Sequence, residues 1–172
     1  MPEERATRRY APGKDEGAVT VATGEFAVAD HPAVLVTPAL GSCVGIALWD
    51  AATRRGGLAH IMLPVPAGDR VDGRPDRFAS LAIPRVVAQV TARGSRHRLV
   101  AKIAGGSAMF SPDSAMASIG ERNVAEVKHQ LTLLRIPLLA EDTGGGHART
   151  MELYLDTGLV IVRSYRYGIR EL

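Results

Sequence analysis

The sequence predicts an α+β domain, with a mixed, largely antiparallel and sandwich-like packing of β-sheet and two main helices on the outside. Short β-branched runs separated by turn residues fill both ends of the chain. Two segments with helical spacing of apolar residues lie between them. Strands and helices do not alternate as in a series of βαβ units, which favours mixed or antiparallel pairing over a parallel sheet.

The N-terminal segment differs in composition from the rest of the chain. Residues 1–17 are rich in Arg, Glu, Pro and Gly, which predicts a flexible leader followed by a single domain over residues 18–172. This leader lacks the apolar stretch of a signal peptide, and no apolar run approaches the length of a membrane span. We therefore expect a cytoplasmic protein that does not insert into the membrane.

The first half of the domain contains four apolar runs that are typical of strands: VTVATG (19–24), AVLVT (33–37), CVGIALW (43–49) and GLAHIML (57–63). A helix is predicted between Arg74 and Gly94, where apolar residues recur at helical spacing until the glycine ends it. Pro84 is expected to kink this helix or to end its first part, because proline removes a backbone donor and clashes with the preceding turn.

The second half predicts one strand, one helix and then three more strands. LVAKIAGG (99–106) reads as a buried strand, and Ser118 followed by Glu121 indicates a capping box at the start of a helix that ends near Ile136 and Pro137. The final strands are predicted at IPLLAED (136–142), RTMELYLD (149–156) and LVIVRSY (159–165), with a DTG turn (156–158) joining the last two as a hairpin.

Composition excludes several kinds of site. The chain has one cysteine, so it cannot form an intramolecular disulfide, and its five scattered histidines do not make a zinc cluster. The net charge of +3 is small, the arginines are dispersed and aromatic residues are only 5% of the chain. A nucleic-acid-binding protein would be expected to show a basic stripe with interleaved aromatics. We therefore expect no metal site and no nucleic-acid partner.

The single cysteine raises the question of a nucleophile. A lone cysteine in an apolar run is most often a small buried hydrophobe. However, the segment from Cys43 to His60 reads as a hairpin, and the midpoint between these two residues falls at Ala51 and Ala52, inside its polar turn. Residues paired across such a hairpin lie about 5 Å apart when opposite and about 7 Å apart on a diagonal. Either separation would let the imidazole of His60 reach the thiol.

The residues before the cysteine suit a reactive thiol. Gly41 and Ser42 predict a tight turn whose backbone N–H groups lie near the sulfur, as an oxyanion hole requires. A nearby imidazole would lower the thiol pKa from its ordinary value of about 8.5. Thr37 could orient that imidazole, although a threonine in a strand is usually only a β-former, and a histidine such as His60 is more often a satisfied core histidine.

Five segments together resemble the CheD family of chemoreceptor glutamine deamidases. They are TPALGSCVGIALWD, GGLAHIMLP, KIAGGSAMF, IGERNV and LLAEDTGGGHAR, and the similarity runs from about Gly24 to Arg163. The resemblance implies a CheD-type cysteine hydrolase fold in which Cys43 is the nucleophile, His60 the base and Thr37 the third member of the triad. It also implies deamidation of glutamine to glutamate on methyl-accepting chemotaxis receptors, without a metal or organic cofactor.

The resemblance implies partners as well as a reaction. The expected substrate is the cytoplasmic domain of a chemotaxis receptor, and some family members also hydrolyse glutamate methyl esters. In the family's signalling systems the protein also binds a CheC-type CheY-phosphate phosphatase. Two alternatives therefore stay open at this point: a cysteine hydrolase that acts on another amide or ester, and a protein whose main role is to bind the phosphatase.

Overall fold

The computed structural model describes residues 18–94 and 98–172, so the predicted leader lies outside the described residues. The elements in chain order are β1 (Ala18–Thr20), β2 (Phe26–Asp30), β3 (Val34–Leu40), β4 (Val44–Asp50), β5 (Arg55–Ile61), α1 (Ala79–Val90), β6 (Leu99–Gly105), α2 (Ile119–Leu133), β7 (Leu138–Thr143), β8 (Arg149–Tyr154), β9 (Leu159–Ser164) and β10 (Gly168–Glu171).

The strands form two five-stranded sheets. The first sheet has the order β1-β3-β8-β9-β10 and the second the order β2-β5-β4-β6-β7. Only the pairs β1/β3 and β6/β7 are parallel among the strand pairs of the described residues. The other pairs are antiparallel. The prediction of an α+β fold with mixed, largely antiparallel sheets is therefore confirmed.

The second sheet is the middle layer of the molecule. Its outer face packs against α1 and α2 through an apolar cluster that includes Ile46, Ala59 and Ile83. Its inner face packs against the first sheet through a second cluster that includes Leu58 and Met151. Strands buried on both faces read as continuous apolar runs, which explains why β4 and β5 were visible in the sequence. The helices lie on the outside, as predicted.

Two strands, β2 and β10, were not predicted from the sequence. β2 consists of four half-buried residues followed by an exposed aspartate, and every residue of β10 is exposed. Both lie toward an edge of a sheet, where one side of the strand meets solvent and the sequence carries little apolar periodicity. Their position is instead set by hydrogen bonds to a neighbouring strand, which is β5 for β2 and β9 for β10.

The helix α1 does not end at Pro84, one of the two outcomes that the sequence allowed. The helix continues to Val90, and Pro84 lies exposed within it. Proline leaves the carbonyl of Ser80 without its helical donor. The buried face formed by Ala82, Ile83, Val86, Val87 and Val90 continues past this break and holds the helix against the second sheet.

The helix α2 begins after Ser118, but the predicted capping box does not form. Ser118 is the N-cap residue, yet its side chain makes no capping hydrogen bond. Its ψ of 9° departs from the extended conformation that directs an N-cap oxygen toward the free amides of the first turn. Its backbone carbonyl instead accepts the helical hydrogen bond from Arg122 at 3.0 Å, and Glu121 remains in the first turn, where the helix dipole favours an acid.

Candidate functional site

The hairpin formed by β4 and β5 brings Cys43 and His60 to the same end of the second sheet. Gly45 pairs with His60 and Val44 with Ile61. Continuing this register by one residue places Cys43 across from Met62, so Cys43 and His60 are diagonal neighbours on one face. The hairpin is therefore centred one residue later than the sequence midpoint predicted, with Arg54 of its turn at a φ of 51°.

Because Gly45 has no side chain, the two sheets come close together beside Cys43 and His60. A Cβ atom on Gly45 would lie 2.7 Å from Met151 Sδ and 2.9 Å from a methyl of Leu40, both from the first sheet. The same atom would lie 3.5 Å from Thr37 Cγ2. The absence of a side chain at position 45 thus lets β3 approach closely enough for Thr37 to reach the ring of His60.

Thr37 fixes the tautomer of His60. The Thr37 hydroxyl donates to the backbone carbonyl of Val21 at 2.8 Å, and its oxygen lies 2.7 Å from His60 Nδ1. A hydroxyl has one hydrogen, so the oxygen must accept a hydrogen bond from a protonated Nδ1. In the neutral ring Nε2 is then unprotonated. This atom is buried and has no hydrogen-bond partner within the described part of the chain, which leaves its lone pair available as a base.

The thiol and the imidazole are both neutral in the resting site. Burial lowers the pKa of His60 to about 4 and raises the pKa of the Cys43 thiol, because burial disfavours the charged form of each group. The expectation that the imidazole would lower the thiol pKa is therefore wrong for this resting conformation. The resting site therefore does not hold a preformed pair of thiolate and imidazolium.

The backbone amides before and at the cysteine differ in their availability. The N–H of Gly41 donates to the carbonyl of Ala39 at 3.1 Å. The N–H groups of Ser42 and Cys43 donate to no residue in the described ranges, and both residues are half-buried. Two adjacent amides are thus open beside the sulfur, while the Gly41 amide is occupied.

Glycines allow the end of β6 to approach residues 41–43, which we call the cysteine loop. Gly106 donates its N–H to the carbonyl of Cys43 at 2.8 Å. Gly105 has a φ of 107°, and a Cβ atom there would collide with that same carbonyl oxygen. On the far side, a Cβ atom on Gly120 of α2 would lie 2.5 Å from the carbonyl of Ser107. The AGGS segment (104–107) therefore serves close backbone packing.

Sequence reasoning missed Asn123, which joins the two halves of the site. This residue lies in α2 and is fully buried. Its Nδ2 group donates to the carbonyls of Ser42 at 3.0 Å and of Met62 at 2.9 Å. The available signal was its position four residues from both Ile119 and Val127, because a polar residue there interrupts the apolar face of the helix.

Arg149 was also not predicted from the sequence as part of the site. Its side chain is 2% exposed and donates to Ser107 Oγ at 2.8 Å, to Asp142 Oδ1 at 3.1 Å and to the carbonyl of Gly144 at 2.8 Å. Ser107 Oγ in turn donates to the carbonyl of His147 at 2.6 Å. The guanidinium thus ties β8 of the first sheet to the end of β6 and to the glycine loop after β7.

Neither a metal cluster nor a membrane span was found among residues 18–94 and 98–172. No three of the histidine, cysteine and acidic side chains in these ranges lie close enough to hold a metal ion. No helix there combines the length and the apolar character needed to cross a membrane.

Comparison with known proteins gives consistent results. The family model described as CheD chemotactic sensory transduction matches residues 62–164. The probable chemoreceptor glutamine deamidase CheD 2 of Geobacter metallireducens is 46% identical over 159 residues, which cover 90% of this chain and 98% of that protein. The corresponding probable deamidase of Moorella thermoacetica is 48% identical over 150 residues, with 85% and 90% covered. The chemoreceptor glutamine deamidase CheD of Thermotoga maritima is 43% identical over 149 residues, with 86% and 92% covered.

Proposed function

This chain belongs to the CheD family, and we propose that it deamidates specific glutamine side chains of methyl-accepting chemotaxis receptors to glutamate. The catalytic residues in this proposal are Cys43 as nucleophile, His60 as base and Thr37 as the group that orients the base. The observation that carries it is the 2.7 Å contact between Thr37 Oγ1 and His60 Nδ1, which leaves Nε2 free to take a proton beside the only cysteine of the chain.

Acylation begins with proton transfer from the Cys43 thiol to His60 Nε2. The sulfur attacks the glutamine carboxamide carbon, and the negative charge that develops on oxygen is stabilised by the open N–H groups of Ser42 and Cys43. The imidazolium then protonates the departing nitrogen, the C–N bond breaks and ammonia leaves. The product of this half-reaction is a thioester between Cys43 and the receptor side chain.

Deacylation uses the same base. His60 Nε2 takes a proton from a water molecule, which attacks the thioester carbonyl to form a second tetrahedral intermediate. The C–S bond breaks, the proton returns to sulfur and the glutamate side chain is released. Glutamine and water thus become glutamate and ammonia. A glutamate methyl ester would form the same thioester with methanol as leaving group, so ester hydrolysis is a second activity of the same residues.

The surface beside the site supports a protein substrate. Met109 is exposed, and a Cβ atom on Gly41 would lie 3.1 Å from its Cγ, so this side chain lies at the mouth of the cysteine loop. A neighbouring groove of about 440 Å³ has an apolar wall that includes Leu63 and Met116. Arginines that line it, among them Arg122, would favour an acidic surface such as that of a charged receptor helix.

The direct test is incubation of wild type and Cys43→Ala with a cytoplasmic receptor fragment, followed by peptide mass spectrometry for conversion of glutamine to glutamate. Wild type should convert particular glutamines and release one ammonia for each, whereas the variant should leave them unchanged. Absence of conversion by wild type across receptor fragments would overturn the proposal.

The same pair of proteins tests the remaining alternatives. Conversion of free glutamine or small amides as fast as receptor glutamines would indicate a general cysteine hydrolase. A CheC-type phosphatase whose activity changes equally with wild type and with Cys43→Ala would indicate a binding role that does not use the thiol. Both functions can exist in one molecule, and the variant separates them.

A further inference from the structure

The cysteine loop is held from two directions through consecutive carbonyl groups. The backbone N–H of Ser107 donates to the carbonyl of Gly41 at 2.8 Å. The side chain of Asn123 donates to the carbonyl of Ser42 at 3.0 Å. These two contacts come from different elements, the end of β6 and the first turns of α2. Each one fixes the plane of the peptide group to which its carbonyl belongs.

The fixed carbonyls determine where the next amides point. A trans peptide group directs its C=O and its N–H to opposite sides, and the single cis bond in the described residues joins His31 to Pro32. The carbonyl of Ser42 points at Asn123, so the N–H of Cys43 must point away from Asn123. That N–H has no partner in the described ranges, and it belongs to the residue that carries the nucleophile.

The Nδ2 group of Asn123 is fully committed to this arrangement, whereas its Oδ1 atom is buried without a partner in the described residues. Its Nδ2 group has two hydrogens, and its two acceptors are the carbonyls of Ser42 and Met62. A flipped amide would place Oδ1 against both carbonyls, so the orientation is determined by the contacts. Continuing the hairpin register places Met62 across from Cys43. The side chain of Asn123 therefore connects the cysteine loop to the end of β5, the strand that carries His60.

We propose that Asn123 is a positioning residue that aims the N–H of Cys43 at the developing oxyanion. Asn123 does not touch the substrate, and it acts through the peptide group between Ser42 and Cys43. This inference deepens the proposed function and rests on it for the natural substrate. It concerns one step, the formation of a tetrahedral intermediate, and not the nucleophilicity of the thiol.

Two reagents separate those two properties at the single cysteine. Iodoacetamide forms an S–C bond as the C–I bond breaks and iodide leaves, without a tetrahedral intermediate. The ester p-nitrophenyl acetate forms an S–C bond at a carbonyl, passes through an oxyanion and then loses p-nitrophenolate as the C–O bond breaks. In both reactions the thiol proton goes to His60 Nε2. The ratio of acylation rate to alkylation rate therefore reports the oxyanion site, while alkylation alone reports the thiol and its base.

The variant Asn123→Leu keeps the size of the side chain and removes both donors. Loss of one oxyanion-hole donor typically lowers the rate by about 10²-fold or more, so we expect the acylation-to-alkylation ratio to fall about 10²-fold. The alkylation rate and its pH profile should stay close to those of wild type. The matched control is Gln130→Leu on the same helix, because among the described residues Gln130 Nε2 donates only to Glu126 within α2, and its ratio should not change.

Other outcomes overturn the inference. An unchanged ratio in Asn123→Leu would show that the Cys43 amide does not depend on Asn123. A parallel loss of acylation and alkylation would show a general collapse of the loop. If Asn123→Leu does not fold by circular dichroism, Asn123→Ala is measured in its place, because the vacated space lets water solvate both carbonyls. If wild type is acylated no faster than Cys43→Ala, there is no oxyanion site to position.

The natural reaction is measured in parallel on a receptor fragment. Asn123→Leu should lower kcat for glutamine conversion by a factor similar to the fall in the ratio, with little change in KM. Failure of wild type to convert receptor glutamine would contradict the proposed function, whereas the reagent ratio would still decide the role of Asn123.

Discussion

The two faces of the middle sheet are both covered, the outer by helices and the inner by the first sheet, but they have different roles. The outer face, covered by α1 and α2, is an apolar core that includes Ile46, Ala59 and Ile83. The inner face, which meets the first sheet, places Cys43 and His60 at its end. Apolar packing on the outer face stabilises the fold, whereas the polar contact between Thr37 and His60 on the inner face fixes a tautomer.

This difference shows how a small domain can hold a buried imidazole. The imidazole of His60 is fully buried, which costs free energy unless its polar atoms are paired. One nitrogen is paired with Thr37 and the other is left free for chemistry. Because the two faces of β5 alternate, Ala59 and Ile61 can anchor the strand against the helices while His60 faces the site. Changes on the inner face should therefore affect rate, and changes on the outer face should affect stability.

The largest effect is expected at Thr37, on the inner face. The variant Thr37→Val keeps the shape of the side chain but removes the acceptor for the Nδ1 proton of His60. Without it the required tautomer is no longer held, and by analogy with orienting groups in other triads we expect kcat to fall about 10²-fold to 10⁴-fold. The measurement is steady-state deamidation of a receptor fragment.

The control for that experiment is Thr37→Ser, which keeps the hydroxyl. It should recover most of the activity, because it can still donate to Val21 and accept from His60. A Thr37→Val protein with nearly wild-type kcat would show that the orientation of His60 does not depend on this contact.

The matching change on the outer face is Ile83→Ala in α1. Ile83 is fully buried, and truncation of such a residue to alanine typically lowers the free energy of unfolding by about 2–5 kcal/mol. Chemical denaturation should show this loss, while kcat measured well below the unfolding midpoint should remain near that of wild type. A large fall in kcat with the fold intact would mean that the two faces are coupled.

The sequence revealed the outer face more fully than the inner one. Apolar spacing was enough to find α1 and α2, because their buried residues recur at helical spacing against one sheet. The inner face depends on contacts between distant segments. Hairpin arithmetic placed Cys43 near His60 but missed by one residue the centre of a turn that contains Arg54 in a left-handed conformation. No local pattern could show that Asn123 reaches the carbonyl of Ser42.

The pH dependence of stability tests the buried base. The pKa of His60 is lowered to about 4 in the folded protein, against about 6.5 in an unfolded chain. Between these values the unfolded state binds more protons, so the contribution of His60 is fully present above about pH 6.5 and is lost as pH falls toward 4. The expected loss is about 3 kcal/mol in the free energy of unfolding.

The control is His60→Gln, whose unfolding free energy should depend less steeply on pH across the same interval. Denaturant titrations of both proteins from pH 7 to pH 4 measure the difference. If wild type and variant show the same slope, His60 titrates normally in the folded state and its burial does not suppress the charged form.

The smallest effect is expected outside both faces, at the groove beside the site. Arg122 lines this groove and is exposed, so it can attract an acidic receptor surface only through screened, long-range electrostatics. The variant Arg122→Glu should raise KM for a receptor fragment by a few-fold and leave kcat and the rate of Cys43 alkylation unchanged. Added salt should reduce the difference in KM between the two proteins.

The matched variant Arg135→Glu changes the charge by the same amount just beyond the other end of α2, outside the groove residues, and should have a smaller effect on KM. Equal effects of the two substitutions would mean that net charge, and not the groove, governs the encounter.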